Sequence, residues 1–399
     1  MIAVIACTYI YLYVIIDFIY LFVVCMNKRP FTHETADIGC TVIIPCRDNE
    51  EAVLKTLESI FKQNVQMIEV IVSCNGISRD SFINLKSNIL RRFPRADNLY
   101  FAYSQKANKS AAINHAIRYS SYDYICVVDA DCRLGSEYSL GQLFHNMKGN
   151  TIAAGGRIIA DEAINRLQKL QQLEYNRTFV LLRVALRNLN SVNLISGAFG
   201  VFKKDIVIAC GGYDESFVGE DMELTLRMQR YCKANHIPYS VEYDPLALIY
   251  TKVHSDPVKL FRQRDRWQRG LIGSYIKNIS FRHDTDIVMR LWVRNYMLVY
   301  EIFSPYMAVI GMCAVLADFH VDAVLWLNWI HVLIIYVIGE TVIDIMAELY
   351  RRHLDHNRNK IKIADIILRV PYIMFVESTL LLAAKLFGNI TYFRRKNVW

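Results

Sequence analysis

Apolar and polar positions divide this chain into blocks of two kinds. From Ile2 to about Met26 nearly every residue is apolar, with Asp17 the one charge, and the run is long enough to cross ~30 Å of bilayer hydrocarbon as a helix. Lys28 and Arg29 follow it without a basic n-region before it or a small-residue cleavage site after it, so it reads as an uncleaved anchor whose C-terminal end lies inside. From Gly39 to about Asn278 short β-branched runs alternate with amphipathic stretches, which predicts an α/β domain with a mostly parallel sheet. CTVIIPC is its first strand. NEEAVLKTLESIFKQ opens on acids and spaces Val53, Leu54, Leu57, Ile60 and Phe61 along one helical face. IEVIVSCNG is the second strand, ending in a glycine turn, and YDYICVVDADC is a further strand that runs straight into two acids.

Two stretches mix apolar residues with Arg and Lys at helical spacing: INRLQKLQQLEYNRTFVLLRVALRN and DPVKLFRQRDRWQRGLIGSYIKN. Both suit a membrane interface, and the first suits an ordinary surface helix equally well. Three further apolar spans follow, roughly Leu291 to Ala317, Val321 to Ala347 and Val370 to Phe387. The basic loop RRHLDHNRNKIK belongs inside, whereas a full crossing by the last span would leave YFRRKNVW outside, against the positive-inside tendency. A re-entrant path or a break at Pro371 would remove that conflict. The boundaries expected are an anchor at 1–27, a cytosolic domain at 38–255, an amphipathic interface region at 256–290 and a membrane region at 291–399.

Composition agrees with this alternation of blocks. Of 399 residues 53% are hydrophobic, yet 21% are charged, and the formal net charge of +8 suits a surface that meets anionic headgroups and phosphorylated substrates. The ten cysteines form neither a C-x-x-C pair nor a zinc-spaced Cys/His cluster, which points to reduced thiols in the cytosol rather than a disulfide framework.

Candidate chemistry lies where strands end, since ligands of open α/β sheets gather at the carboxyl ends. Asp129 and Asp131 of VVDAD follow a buried apolar strand, where their repulsion is costly unless a cation or ligand offsets it; Mg²⁺ or Mn²⁺ would accept such oxygen ligands and bridge a pyrophosphate. A plain strand-end turn is the alternative. Glu220 and Asp221 open a helix, where acids favour the dipole, but a positioned carboxylate is also the economical base for an attacking hydroxyl; Asp221 is the candidate and Glu220 its alternate. Gln263, Arg266 and Trp267 form Q-x-x-R-W at neighbouring helical positions, offering a cation for diphosphate and a flat face for a sugar ring, or else an interfacial anchor.

Taken in order, VIIPCRDNEE, NKSAAINHAI, VVDAD, SGAFGVF, GGYDE, GED and QRDRW resemble the motifs of glycosyltransferase family 2, in particular its membrane-embedded branch of cellulose, hyaluronan and poly-N-acetylglucosamine synthases, over about Thr41 to Gly273. That resemblance implies a GT-A fold, a Rossmann-like and mostly parallel α/β domain inserted between transmembrane helices. It implies nucleotide-sugar contacts from Pro45, Arg47, Glu50, Asn75, Lys109, Asp129 and Asp131, metal ligation by Asp131 and Asp129, and Gln263, Arg266 and Trp267 bordering diphosphate and acceptor. Cys74 and Asn75 stand where many relatives carry an acidic pair that reads uracil, and Asn108 replaces a glycine before the lysine.

The function expected is an inverting, metal-dependent transfer from a nucleotide sugar, a UDP-sugar, to a growing β-linked polysaccharide, coupled to its export at the plasma membrane. A non-processive glycolipid synthase is the alternative, and a catalytically silent export or scaffold subunit the alternative of another class. Expected partners are membrane lipid and either an accessory subunit or a second copy that completes a channel, with no nucleic acid. Glu301, Glu340, Asp344, Glu377 and Lys385 in the apolar spans would line a polar export path or pair with one another.

Overall fold

The computed structural model describes residues 2–26, 29–47, 49–278, 297–321, 323–355 and 361–394. Lys28, residues 279–296, the middle of the basic loop at 356–360 and the tail at 395–399 lie outside the described residues, together with the expectations attached to them. The chain divides into two compact units: Met1–Arg29 with Ala163–Leu189 and His254–Trp399, and Pro30–Glu162 with Asn190–Val253.

The second unit is built on eight strands: β1 Cys40–Cys46, β2 Ile68–Asn75, β3 Leu99–Ser104, β4 Tyr124–Val128, β5 Cys132–Leu134, β6 Thr151–Asp161, β7 Phe199–Lys203 and β8 Ser240–Lys252. They form one sheet in the order β3-β2-β1-β4-β7-β6-β8-β5. β1 to β4 run parallel as the alternating pattern requires, and β7 enters antiparallel between β4 and β6. β1 and β2 are buried along their whole length, which explains why they read as continuous apolar runs. The predicted first helix spans Glu50–Ile60; the Asn49 side chain caps it by accepting from Ala52 N, and Val53, Leu57 and Ile60 are buried. The glycine turn after β2 is obligatory: Gly76 has φ +66°, and a Cβ there would sit 2.5 Å from that of Ala107.

The first unit gathers the apolar helices. Among the described residues four helices are long and apolar enough to cross a membrane: Cys7–Cys25, Met297–Asp318, Leu327–Leu354 and Ile363–Arg394. Pro371 lies inside a helix running Ile363–Val376 and does not end it; a π-helical turn follows at Glu377–Leu381. The first basic amphipathic stretch forms Arg166–Asn176, a π-helical turn Arg177–Leu182 and Arg183–Asn188, opened by a capping box between Asn165 and Gln168. It belongs to the apolar unit, where Leu167 and Leu170 pack with Leu260 and Val376. Arg177 pairs with both Asp17 and Glu340, and Lys385 reaches Glu301 at 2.9 Å, so these membrane-region charges are matched internally.

Candidate active site

The site begins at β4. After Val128 the chain leaves the sheet in a tight turn, where Asp129 donates its backbone N–H to the Ala198 carbonyl at 3.3 Å and Cys132 N returns to the Asp129 carbonyl at 3.1 Å. This turn separates the two acids. The Asp129 carboxylate is half-buried and meets the Lys109 ammonium at 2.5 Å, whereas Asp131 is exposed and has no cation partner among the described residues; only the Cys132 thiol approaches it, at 3.7 Å.

Lys109 opens the helix Lys109–Ile117, capped by the Asn108 side chain, which accepts from Ala111 N at 2.9 Å. Asn108 is therefore a functioning N-cap. From there Lys109 also lies 3.7 Å from Glu220 and 3.4 Å from the Gly197 carbonyl. Gly219, at φ +91°, turns the chain into the helix Glu220–Ala234, so Glu220 and Asp221 start its first turn. Asp221 is held by backbone: Oδ2 accepts from Gly197 N at 3.0 Å and Oδ1 from Met222 N at 2.8 Å. Gly197 sits between base candidate and lysine, since a Cβ there would lie 3.2 Å from Lys109 Nζ and 3.5 Å from Asp221 Oδ2.

Burial sets the electrostatics. It raises the Asp129 carboxyl above its ordinary value despite the opposing pull of Lys109, and it raises Glu220 likewise, with Asp221 adding to the effect. Lys109 loses solvation too, but the charges of Asp129 and Glu220 outweigh that loss and hold its ammonium above the usual lysine range.

The loop from Cys210 to the acids is clamped. Arg227 donates to the carbonyls of Cys210 and Gly212 while pairing with the fully buried Glu223 at 2.7 Å, and Asn108 donates to the Glu215 carbonyl at 2.7 Å. Gly212, at φ +74°, would place a Cβ 2.6 Å from Asn114 Oδ1. Gly197, Asn114 and Arg227 carry no charge pattern that marks them in the sequence; their presence inside SGAFG, NKSAAIN and the helix after GED is the only signal.

The remaining candidates fall in two places. Pro45 is buried at the carboxyl end of β1 and Arg47 is exposed just beyond it, while buried Asn75 ends β2 and donates to the Cys46 carbonyl at 3.0 Å. Glu50 accepts from Asn88 at 3.0 Å. Gln263, Arg266 and Trp267 share the helix Pro257–Lys277 in the other unit, capped by Asp256 with Pro257 at its start. Arg266 and Trp267 are exposed there, and the guanidinium of Arg264 stacks on the Trp267 ring at 4.2 Å while pairing with Glu174 at 2.7 Å.

Among the described residues no group of three or more His, Cys, Asp or Glu side chains is arranged to hold a metal ion alone. Asp129 and Asp131 nonetheless present hard carboxylate oxygens from positions separated by one residue, and Asp131 is exposed; such a pair suits Mg²⁺ or Mn²⁺ when phosphate oxygens and water complete the sphere.

A family model described as glycosyltransferase-like family 2 matches residues 38–270. The chain is 26% identical over 249 residues to the poly-beta-1,6-N-acetyl-D-glucosamine synthase of Staphylococcus aureus strain COL, covering 61% of this chain and 57% of that protein. Against the synthase of the same name from Staphylococcus epidermidis it is 25% identical over 271 residues, covering 65% and 62%. The matched region thus spans less than two thirds of either relative. The mannosyltransferase PcManGT from Pyrobaculum calidifontis, solved in complex with GDP-Man and Mn²⁺, superposes with a TM-score of 0.65 at 15% identity, covering 98% of this chain and 99% of that one. This likeness bears out the GT-A fold.

Proposed function

The chain belongs to glycosyltransferase family 2, and we propose that it transfers sugar from a nucleotide sugar, a UDP-sugar, to a growing β-linked polysaccharide at a membrane. The observation that carries this reading is the convergence of Lys109, Asp129, Gly197, Glu220 and Asp221 at the end of β4, with Asp131 exposed beside them. A charged base, a cation and open metal-ligand oxygens are what a displacement at an anomeric carbon requires.

Asp221 is the base in this reading. Two backbone N–H groups fix its carboxylate in one orientation, and each oxygen keeps a lone pair for the proton that an acceptor hydroxyl loses as it attacks. Glu220 instead faces Lys109 and balances its charge. Lys109 supplies a cation for the diphosphate, and Pro45, Arg47 and Asn75 border the nucleoside at the ends of β1 and β2. A Mg²⁺ or Mn²⁺ held by Asp131 and Asp129 would neutralise the departing diphosphate, so no protonating acid is needed and a single displacement inverts the anomeric centre. Arg266 and Trp267, exposed on their own helix, are a cation and an aromatic side chain of the kinds that suit diphosphate and a sugar ring. The staphylococcal synthases to which the chain is similar support a polymer as product. The basic residues Arg29, Arg351 and Arg352 beside the apolar helices support a cytosolic site.

The test is to purify the full chain in detergent, supply UDP- and GDP-sugars with Mn²⁺ or Mg²⁺, and size the radiolabelled product beside an Asp221→Asn control. A high-molecular-weight product that disappears in the control is expected. A single-sugar lipid would replace the polysaccharide reading by the glycolipid synthase, and no metal-dependent turnover with any donor would overturn the enzymatic reading.

A further inference from the structure

The Lys109–Asp129 pair places a fixed positive charge where the proposed metal would have to sit close by. Asp129 Oδ1 is 2.5 Å from the ammonium, and the same ammonium lies 3.7 Å from Glu220 and 3.4 Å from the Gly197 carbonyl, so three groups from three parts of the chain hold it in place. Asp131, exposed and without a cation among the described residues, is the neighbour of Asp129 left to receive a second cation. A divalent ion held between Asp131 and Asp129 would meet an Asp129 already paired with Lys109, whose charge opposes it on the half-buried Asp129 side, where repulsion is less well screened than in water.

We propose that Lys109 is an internal counter-ion that keeps the metal site weak until a nucleoside diphosphate arrives. The inference rests on the metal-dependent reading given above and adds the order of binding to it. A diphosphate brings negative charge enough to satisfy both cations. Its oxygens would accept hydrogen bonds from the Lys109 ammonium and draw it off Asp129, leaving Asp129 and Asp131 together to hold the metal. Charge balance alone therefore couples the two ligands: metal without nucleotide leaves two cations competing for one carboxylate pair, and nucleotide without metal leaves diphosphate beside Asp129, Asp131, Asp221 and Glu220 with Lys109 as the cation among them. The arrangement would spare the site from holding metal idle between turnovers.

The prediction has an unusual sign, because removing a residue that contacts the donor should strengthen metal binding. In the full-length protein in nanodiscs, the free-ion electron paramagnetic resonance signal of Mn²⁺ would be titrated with protein in the absence and presence of UDP. Lys109→Met, and Lys109→Gln as a second neutral replacement, should tighten Mn²⁺ binding without UDP by about tenfold or more, the scale of a hydrogen bond to a charged group. Lys109→Arg, which keeps the charge, should leave it weak. Both neutral variants should lose UDP affinity, and Asp131→Asn should abolish Mn²⁺ binding in every background. Unchanged or weaker Mn²⁺ binding in folded Lys109→Met and Lys109→Gln, with wild type still binding Mn²⁺ and UDP together, would overturn the counter-ion role and leave the metal reading standing. Absence of Mn²⁺ binding by wild type even with UDP would overturn both.

Discussion

Asn114 grips the backbone of Tyr213 from both sides: its Oδ1 accepts from Tyr213 N at 2.8 Å and its Nδ2 donates to the Tyr213 carbonyl at 2.8 Å. One planar amide thereby ties the helix that starts with Lys109 to the loop that leads into Glu220 and Asp221. The Tyr213 ring is buried edge-on against Phe202, so this peptide has no water to turn to if the amide is lost.

Asn114→Ala should accordingly cost about 2–4 kcal/mol, because it orphans a buried donor and a buried acceptor together. Asn114→Asp keeps the acceptor but sets a carboxylate oxygen against the Tyr213 carbonyl and the Glu215 carboxylate, which the amide nitrogen meets at 2.8 and 3.3 Å, so it should cost at least as much. Thermal unfolding of the two variants would check the order, and turnover should fall in parallel as Asp221 loses its alignment.

Stability should depend on pH through Glu220 with a definite sign. A carboxyl whose folded value lies above its unfolded one holds its proton more tightly when folded, so stability falls as pH rises from the ordinary carboxylate range through the raised value. Asp129 acts in the same direction. Glu220→Gln has no such proton, so its stability relative to wild type should grow over that window and level off above it. Denaturant titrations of both proteins at several pH values would measure the difference, and a constant difference would contradict it. Lys109 acts at the other end, with a stabilisation present below its unfolded value near 10.5 and lost as pH climbs through the folded one.

Arg177 should be indispensable to the apolar unit. Arg177→Leu leaves Asp17 and Glu340 without their common cation, and breaking a buried pair in this way costs ~3–5 kcal/mol. Neutralising both acids, as Asp17→Asn with Glu340→Gln, should recover most of the loss in the same background. Melting temperature in detergent would show whether the recovery occurs.

Gly388 sets a close helix approach. A Cβ there would lie 2.7 Å from that of Gln268 and 3.1 Å from the Asp265 carbonyl, while Gln268 donates to Asn389 Oδ1 at 2.8 Å beside it. Gly388→Leu should push the helices Pro257–Lys277 and Leu382–Arg394 apart at a cost of about 1–3 kcal/mol. The Gln268–Asn389 hydrogen bond would be lost with it, and Gly388→Ala should show a smaller shift in melting temperature.

Much of this is legible in the sequence. The continuous apolar runs of β1 and β2, the helical spacing of Val53, Leu57 and Ile60, and the long apolar helices follow from periodicity, because burial on one or both faces imposes its repeat on neighbouring residues. The ordered motifs identified the family, since each is a run of a few neighbouring residues. Periodicity says nothing about partners far apart in the chain. That Lys109 faces Asp129 and Glu220 rather than solvent, that Gly197 holds Asp221, and that Arg177 lies between Asp17 and Glu340 depended on how strands and helices are ordered in space. The same holds for residues 163–189, whose mixed pattern suited a surface or an interface until the fold grouped them with the apolar helices. Local sequence determined which elements form and which residue types are available for chemistry; the tertiary structure decided which charges meet, because a charge pair is a property of distance between side chains and not of their separation along the chain.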